Sequence, residues 1–310
     1  MRVLITEDIA AEGKAYLKER GFDLILASAA DEATLMREIR SMDGAIVRTA
    51  PFTKKIIAAG DRLKVISKHG VGVENIDVEA ASAAGIRVTN GPLSNANSVA
   101  EHTLALMLTL TKQLALCDKA VRSGDFAIRN RIVLDDLAGK TVGIIGFGNI
   151  GRRVAEKCHY GFSMRVLAYN RSEKEMPDYV TPVSLDTLLS SADYISLHIP
   201  LTQETRKLID AAALSKIKPS AYLINVARAD VVDTDALIYA LKNKKIKGAG
   251  IDVFSPEPPL QNNPFFTLPN VVLSPHNAAH TKKAFSDMSL HAAIGVVEVL
   301  EGLPVTWPIN

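Results

Sequence analysis

Short apolar runs alternate with amphipathic segments along this chain, and the alternation falls into two series. The first series has five short runs rich in β-branched residues: RVLI, FDLILA, GAIVR, KVISK and IRVTN. Between them, residues 9–20, 31–40 and 53–60 carry apolar side chains at helical spacing. The second series starts at Thr141 and has six runs: TVGII, MRVLAYN, DYISLH, AYLINVA, IKGAGIDV and NVVLSPH. Strands that alternate with helices in this way predict an α/β fold with parallel sheets.

Two longer segments predict helices. Residues 98–122 predict one long helix, and residues 281–301 predict another that ends at Gly302. In the first of these, VAEHTLALMLTLTKQLAL is apolar around more of the circumference than one buried stripe requires. The FAIRNRIV segment that follows is also apolar without an obvious core partner. We therefore expect this region to contact a second copy of the chain in a homodimer.

Composition narrows the possible classes of protein. The chain has 310 residues, a length that suits a globular protein with two cores. Its composition, 47% apolar and 23% charged with a formal net charge of +2, is ordinary for such a protein. No long basic run predicts a nucleic-acid partner. The most apolar stretch, TLALMLTLT, is too short to cross a membrane. The start of the chain lacks a secretory pattern, and Cys117 and Cys158 are isolated, so we expect a cytoplasmic protein.

Three glycines form a candidate dinucleotide-binding turn. Gly146, Gly148 and Gly151 follow the apolar run TVGII in G-x-G-x-x-G spacing and open a helical pattern. The first glycine permits a tight turn, the second lets the backbone approach a pyrophosphate, and the third brings the helix close to the strand. A purely structural turn would explain one glycine but not the set.

The residues after the next strand select the cofactor. An NAD-binding protein is expected to carry a carboxylate there for the ribose 2′-hydroxyl, whereas this chain has Asn170, Arg171 and Ser172. These side chains suit a 2′-phosphate, because Arg and hydroxyl groups form charge-assisted hydrogen bonds with it. The alternative is a surface arginine with no ligand. The sequence thus predicts NADP or NAD, with NADP favoured.

Polar residues that follow successive strands form a candidate catalytic set. Arg228 follows AYLINVA, Glu257 follows IKGAGIDV, and His276 follows NVVLSPH. Arg228 is expected to bind a substrate carboxylate, His276 to transfer a proton, and Glu257 to orient the His276 ring and favour its protonated form. Each residue alone has a structural explanation, but three at neighbouring strand ends favour hydride-transfer chemistry. The seven histidines show no metal-ligand spacing beyond His276 and His280, so no metal is predicted.

Seven motifs together resemble the D-isomer-specific 2-hydroxyacid dehydrogenases, and within them the D-3-phosphoglycerate dehydrogenases. They span nearly the whole chain in the family's order: KHGVGVENIDVEAASAAGIRVTN, SNANSVAEHTLALML, GKTVGIIGFGNIGRRVA, LHIPLTQET, INVAR, GIDVFSPEPP and LSPHNAAHT. The resemblance implies a Rossmann dinucleotide-binding domain, residues 99–284, inserted in a flavodoxin-like substrate domain made of residues 1–98 and 285–310. It also implies a homodimer.

The resemblance assigns further residues. It implies that Arg228, Glu257 and His276 are the catalytic trio and that Asp252 contacts the nicotinamide end of the cofactor. The cofactor-binding residues that it implies are Gly146, Gly148, Asn149, Ile150, Gly151, Asn170, Arg171, Ser172, His198, Pro200, Thr205, Val226, Ala227, Asp252 and His276. Candidate substrate-binding residues are Arg48, Val71, Gly72, Ser94, Asn95 and Arg228.

The chain departs from the family pattern at two points. Where the family usually has ARGG, this chain has ARAD, which places Ala229 and Asp230 beside Arg228. The chain stops near residue 310, so no C-terminal regulatory domain or serine feedback is expected.

The expected substrate is a small 2-oxo or 2-hydroxy acid, either 3-phosphoglycerate-like or, in an NADPH-dependent reductase, glyoxylate or hydroxypyruvate. A non-enzymatic dinucleotide sensor, like the corepressors that share this fold, is the alternative from another class.

Overall fold

The computed structural model describes residues 1–310, which fold into two compact units. The terminal unit comprises Met1–Ala96 and Ala279–Asn310, and the central unit comprises Asn97–Ala278. The binding roles that the sequence assigns to two such domains stay predictions.

The chain contains twelve strands and eleven α-helices. The strands are β1 (Arg2–Ile5), β2 (Asp23–Leu26), β3 (Gly44–Val47), β4 (Val65–Lys68), β5 (Arg87–Thr89), β6 (Thr141–Ile145), β7 (Arg165–Tyr169), β8 (Val180–Pro182), β9 (Tyr194–Leu197), β10 (Tyr222–Asn225), β11 (Gly248–Ile251) and β12 (Val271–Leu273). The α-helices are α1 (Ala11–Lys18), α2 (Glu32–Glu38), α3 (Lys54–Ala58), α4 (Val78–Ala83), α5 (Ala96–Thr111), α6 (Leu114–Arg122), α7 (Asn149–Glu156), α8 (Leu185–Ser191), α9 (Ala211–Lys216), α10 (Thr234–Lys242) and α11 (Lys282–Leu300).

The terminal unit is a parallel five-stranded sheet in the order β2-β1-β3-β4-β5. Because side chains alternate along a strand, β1 buries residues on both faces. Leu4 joins a core with α2, α3 and α4. Val3 and Ile5 join a second core with α1 and α11. The near-continuous apolar runs of the sequence therefore reflect a sheet that is covered on both sides.

The central unit is a parallel seven-stranded sheet in the order β12-β11-β10-β9-β6-β7-β8. One face packs on α8, α9 and α10, with Leu188, Leu214 and Leu237 in the core. Strand order reverses direction at β6, whose neighbours are β7 and β9. In open parallel sheets, ligands bind beyond the carboxyl ends of the strands at such a switch point. The α/β fold class and its two parallel sheets are confirmed.

Two details of the sequence prediction are corrected. The predicted helix 98–122 is two helices, because Gln113 adopts a left-handed conformation with φ of 45° between α5 and α6. The polar side chains at this break bond elsewhere: Thr111 Oγ1 lies 2.8 Å from Tyr194 Oη, and Lys112 Nζ donates to the Asp135 carbonyl at 2.6 Å. The short strand β8, at the edge of the sheet, was not predicted.

Candidate active site

The glycine turn lies between β6 and α7, at the switch point of the central sheet. Gly146 has φ of +95°, and a Cβ built there would lie 2.5 Å from the His198 carbonyl oxygen. A Cβ on Gly151 would lie 2.2 Å from the Gly146 carbonyl oxygen. These two positions therefore require glycine, because another backbone segment lies too close to leave room for a Cβ.

Gly148 differs from its two neighbours. A Cβ built on it meets nothing within 4 Å, and its φ of −90° suits any residue. It is the N-cap of α7, and no side chain caps this helix. Asn149 and Ile150 form the first turn behind it. Open space before an uncapped helix start is what a pyrophosphate needs, so these residues fit a dinucleotide.

The segment after β7 is organised by an amide. Asn170 accepts a hydrogen bond from the Phe147 N–H at 3.3 Å and donates to the Ser172 carbonyl at 2.8 Å and hydroxyl at 3.1 Å. Arg171 is 76% exposed, and its Nη1 lies 3.8 Å from Glu204 Oε2. Asn170, Arg171 and Ser172 help line a surface cavity of about 650 Å³. This end of the sheet offers a cation and a hydroxyl, together with one neighbouring carboxylate.

The segment after β9 contains His198, Pro200 and Thr205. His198 Nε2 pairs with Ser196 Oγ at 2.8 Å, whereas its Nδ1 is buried without a partner. Burial lowers the pKa of His198 to about 3, so the ring is neutral. Thr205 Oγ1 donates to the Pro200 carbonyl at 2.7 Å and closes the turn. The His198 carbonyl lies against the Gly146 turn, and the cofactor roles of His198, Pro200 and Thr205 stay predictions.

Asn225 fixes the segment that carries Arg228. It ends β10, accepts from the Ala227 N–H at 3.0 Å and donates to the Arg228 carbonyl at 2.9 Å. The half-buried Arg228 donates from Nη1 to the Ala227 carbonyl at 2.7 Å. Val226 and Ala227 are buried in this bend. The side-chain amide therefore sets the backbone from which the guanidinium projects.

The unusual Asp230 beside Arg228 has its own partner. Arg206 Nη1 lies 2.8 Å from Asp230 Oδ2. The acidic substitution in the ARAD segment is therefore compensated by a neighbouring cation.

Glu257 and His276 form a hydrogen-bonded pair beyond β11 and β12. His276 Nδ1 lies 2.7 Å from Glu257 Oε2, and Glu257 Oε1 accepts from the Phe254 N–H at 2.9 Å. The His276 side chain is 49% exposed, and its backbone is left-handed with φ of 51°. With Nδ1 occupied by the carboxylate, Nε2 is the nitrogen that remains for proton exchange. Arg228, Glu257 and His276 thus follow three adjacent strands of one sheet.

Asp252 is enclosed at the end of β11. The residue is 0% exposed. Its carboxylate accepts from Ser274 Oγ at 2.6 Å, the Asn277 N–H at 3.0 Å and the Ala278 N–H at 3.1 Å. His102 Nε2 lies 2.9 Å from Ser274 Oγ. These bonds tie the carboxylate to the segment around His276, and a contact with nicotinamide stays a prediction.

The predicted substrate residues of the terminal unit follow β3, β4 and β5. Arg48 Nη1 donates to the Asp8 carbonyl at 3.3 Å, and its Cζ lies 5.1 Å from the centre of the Phe285 ring. The half-buried Val71 and Gly72 follow β4, and Asn90 Nδ2 donates to the Val71 carbonyl at 2.7 Å.

Two further substrate candidates, Ser94 and Asn95, lie between β5 and α5. Ser94 Oγ donates to the Gly91 carbonyl at 2.6 Å, and Asn95 Oδ1 is buried without a partner. The substrate roles of all five residues in this unit stay predictions.

Three residues that the sequence prediction missed organise the site: Asn225, Ser274 and His102. All are polar residues inside or directly beside apolar runs, and two lie at strand ends. A search of strand ends for uncharged side chains, and not only for charged ones, would have found Asn225 and Ser274. Nothing in the sequence pairs His102, which lies on α5, with a residue 172 positions away.

No group of three or more His, Cys, Asp or Glu side chains forms a metal site. None of the helices combines the length and apolarity needed to cross a membrane.

Comparisons with known proteins agree on one family. A family model described as D-isomer specific 2-hydroxyacid dehydrogenase, NAD binding domain, matches residues 104–278. The D-3-phosphoglycerate dehydrogenase of Archaeoglobus fulgidus is 37% identical over the whole chain, which spans 59% of that relative's length. The glyoxylate reductase of Thermofilum pendens is 38% identical over 97% of the chain and 92% of its own length.

A solved structure extends the similarity to the fold. The NADPH-dependent glyoxylate/hydroxypyruvate reductase of Sinorhizobium meliloti, in complex with NADP and malonate, has a TM-score of 0.88 and 29% identity. The match covers 100% of this chain and 96% of that one.

Proposed function

The chain belongs to the D-isomer-specific 2-hydroxyacid dehydrogenase family, and we propose on that basis that it is an oxidoreductase acting on a D-2-hydroxy acid and its 2-oxo acid. A single observation carries the proposal: His276 Nδ1 and Glu257 Oε2 are paired at 2.7 Å, beyond β12 and β11, and β11 adjoins β10, the strand that precedes Arg228. This arrangement supplies a proton donor and an anion binder at neighbouring strand ends.

Each residue has a defined task in the proposed reaction. Arg228 binds the substrate carboxylate through two parallel hydrogen bonds, which only a guanidinium provides. Glu257 holds the His276 ring through Nδ1, so that Nε2 faces the reacting oxygen. In reduction, Nε2 gives a proton to the carbonyl oxygen as the carbon becomes a secondary alcohol; in oxidation it takes that proton back. The bound nicotinamide dinucleotide supplies or accepts the hydride.

We propose NADP as the favoured cofactor, with NAD as the alternative. Gly146, Gly148, Asn149, Ile150 and Gly151 would hold the pyrophosphate at the start of α7. Arg171 and Ser172 would hold the 2′-phosphate through charge-assisted hydrogen bonds. Asn170, which accepts a hydrogen bond from the Phe147 N–H, has no negative charge that would repel this phosphate. The NADP complex of the S. meliloti reductase supports this choice.

The substrate is either phosphorylated or small and unphosphorylated. The relatives named D-3-phosphoglycerate dehydrogenase support a 3-phosphoglycerate-like acid, with Arg48 binding the distal phosphate. One observation favours glyoxylate or hydroxypyruvate as the second candidate. Glu7 Oε1 already accepts from the Thr49 N–H at 2.8 Å and the Ala50 N–H at 3.0 Å. Because the Glu7 carboxylate occupies these donors beside Arg48, a substrate phosphate would lack them, which favours an unphosphorylated acid.

The assembly proposed is a homodimer formed through α6 and the segment after it. Six apolar side chains here are 43–95% exposed: Leu114, Leu116, Val121, Phe126, Val133 and Leu134. Such a concentration of exposed apolar side chains is typical of an interaction surface. A cytoplasmic location, consistent with the free thiols of Cys117 and Cys158, completes the proposal.

The decisive experiment measures turnover at the nicotinamide absorbance. Purified protein is mixed with NADPH or NADH and with glyoxylate, hydroxypyruvate, 3-phosphohydroxypyruvate or pyruvate. We expect turnover of at least one acid, and a fall in kcat of about 10²–10⁴-fold in His276→Ala with cofactor binding unchanged. Arg228→Lys should mainly raise KM, and His159→Ala, remote from these strand ends, should change neither. Absence of turnover on a broad acid panel, with the dinucleotide bound, would favour a corepressor-like sensor.

A further inference from the structure

A chain of three hydrogen-bonded side chains lies beside the segment that carries His276. His102 Nε2 lies 2.9 Å from Ser274 Oγ, and Ser274 Oγ lies 2.6 Å from Asp252 Oδ1. The three residues come from α5, from the segment after β12 and from the end of β11. All belong to the central unit.

The hydrogens along this chain have one direction. Asp252 Oδ1 accepts from the Ser274 hydroxyl, and that hydroxyl has a single hydrogen. Ser274 Oγ must therefore accept from His102, which places a proton on His102 Nε2. The chain thus runs from the α5 histidine, through the serine, to the carboxylate.

Asp252 holds the backbone on both sides of His276. The Ser274 hydroxyl precedes His276, whereas the Asn277 and Ala278 N–H groups, at 3.0 and 3.1 Å, follow it. Between these contacts, His276 has φ of 51° and its N–H donates to the Ser274 carbonyl at 3.1 Å. A left-handed conformation is uncommon for any residue other than glycine, although histidine adopts it more often than most, and the surrounding contacts hold the backbone there.

Ring and backbone of His276 have separate supports. Glu257 fixes the ring through Nδ1 at 2.7 Å, and Asp252 fixes the backbone without touching the ring. The Glu257 pair is partly exposed, whereas Asp252 is fully enclosed. Glu257 alone cannot aim Nε2, because a change in the His276 backbone would carry the whole ring with it.

We propose that Asp252, Ser274 and His102 are positioning residues that aim His276 Nε2 by fixing the backbone conformation of residues 274–278. The inference rests on the proposed function of His276 in proton transfer. It assigns to Asp252 a role that acts through the protein and that does not require a contact with the cofactor. His102 is the outermost member: it reaches Asp252 through the Ser274 hydroxyl, and its Nε2 also lies 3.6 Å from Asp252 Oδ1.

The test uses His102 and Ser274, because these residues lie outside the proposed catalytic trio. His102→Leu removes the donor to Ser274, whereas His102→Gln keeps an N–H at the end of the side chain. Ser274→Ala removes the hydroxyl, and Ser274→Thr keeps it. His159→Leu is the matched control. For each variant, kcat, the substrate KM, the NAD(P)H dissociation constant and the urea midpoint are measured.

We expect kcat to fall roughly ten- to a hundredfold in His102→Leu and Ser274→Ala, the range that a displacement of about 1 Å produces. KM and the NAD(P)H dissociation constant should stay within about threefold. His102→Gln and Ser274→Thr should recover most of kcat. A role in stability alone would shift the urea midpoint and leave the kcat of the folded variant intact.

Two results would overturn the inference. One is a kcat within twofold of the parent in folded His102→Leu, which is the informative variant if Ser274→Ala does not fold. The other is a loss carried by the NAD(P)H dissociation constant, which would place the three residues in the cofactor site. A parent without turnover, or an active His276→Ala, would refute the proposed function instead, so the two failures are distinguishable.

Discussion

At the scale of single residues, the histidines differ in how far they are buried. His276 is half-exposed and paired with Glu257. Burial, with a further contribution from the charge of Arg48, lowers the pKa of His69 to about 4. Burial alone lowers the pKa of His198 to about 3. The rings of His69 and His198 are thus neutral near pH 7 and serve as hydrogen-bond partners of Ser289 and Ser196.

We predict that both units lose stability as the pH falls from about 6.5 to 5. An unfolded histidine binds a proton below about 6.5, whereas folded His69 and His198 do not until about 4 and 3. Since the unfolded state binds more protons in this window, the free energy of unfolding falls with pH by up to about 1.4 kcal/mol per pH unit for each ring. Urea midpoints at pH 5.0–7.5 measure this slope.

His198→Gln is the control for the central unit. It removes one titrating ring, so the slope of that unit between pH 6.5 and 5 should decrease. Carboxylates with lowered pKa values, such as Glu7 and Asp193, act only below their ordinary values of 4.5 and 3.8. An unchanged slope in His198→Gln would contradict the assignment.

The sequence reveals the residues of the candidate site that carry charge, but not those that hold them. Arg228, Glu257 and His276 stand out because they follow three successive apolar runs of the second series. Asn225 and Ser274 look like ordinary uncharged polar residues of loops. Their importance lies in hydrogen bonds to backbone groups, and such bonds depend on local chain direction, which spacing does not encode.

At the scale of elements, the glycine turn combines two kinds of constraint. Gly146 and Gly151 leave no room for a Cβ because backbone atoms lie 2.5 and 2.2 Å from its position. Gly148 leaves open space. The fold explains two of the glycines, and for the third we propose a ligand that approaches the start of α7.

We predict opposite phenotypes for two alanine substitutions in this turn. Gly151→Ala forces α7 away from the Gly146 carbonyl and should destabilise the central unit by about 1–3 kcal/mol. Gly148→Ala should leave stability unchanged but weaken NADPH and NADH binding, because its Cβ occupies the space of the pyrophosphate. Urea unfolding and fluorescence titration measure the two effects.

A third glycine is the control for the turn. Gly161, whose Cβ position is also open, lies outside the turn, and Gly161→Ala should change neither stability nor binding. Parent-like dinucleotide affinity in Gly148→Ala would contradict the proposal that the pyrophosphate lies at the start of α7.

The segment after β7 carries the prediction on cofactor choice. Arg171→Asp should weaken NADPH binding roughly tenfold or more and NADH binding far less, since a charge-assisted contact contributes about 1.5–3 kcal/mol. Glu204→Gln should strengthen NADPH binding, because it frees Arg171 from a carboxylate 3.8 Å away. Arg165→Asp, at the other end of β7, is the charge-matched control. Equal losses for both cofactors in Arg171→Asp would refute the NADP proposal.

Elements differ in how far the sequence predicts them. All eleven predicted strands are present, since each is a short apolar run bounded by polar residues. Inner strands such as β3, β9 and β10 are buried along their whole length, whereas the edge strands β2 and β12 are less buried. The break between α5 and α6 was missed, because the sequence 98–122 has helical periodicity throughout and neither Pro nor Gly marks residue 113. At the break, Thr111 and Lys112 contact Tyr194 and Asp135, which are distant in sequence and so invisible to periodicity.

At the scale of the whole molecule, the chain leaves the terminal unit after Ala96 and returns at Ala279. The resemblance predicted boundaries at residues 98/99 and 284/285, whereas local patterns alone predicted only two strand series. Helix α11 shows why: its residues pack on β3 and β4, far back in the sequence. A terminal helix that completes the first sheet is a long-range feature that periodicity does not reveal.

Burial within the single chain also bears on assembly. Phe126 is 63% exposed and Val133 is 95% exposed, in the segment where four more apolar side chains of α6 and its continuation face solvent. A stable dimer buries at least about 1,200 Å² of surface and has an apolar centre. These side chains would form the apolar centre. We predict a homodimer at micromolar concentration by light scattering, and a monomer for the double variant Phe126→Glu, Val133→Glu.

The double variant should keep its stability per chain, because exposed side chains contribute little to the monomer's core. Tyr239→Glu, at a residue that is 63% exposed on α10, changes an equally exposed apolar position elsewhere and should leave the dimer intact. Burying six apolar side chains across an interface is worth several kcal/mol, whereas two buried and unpaired carboxylates oppose association strongly. A parent that is monomeric at all concentrations, or a double variant that still dimerises, would show that α6 and the segment after it are not the interface.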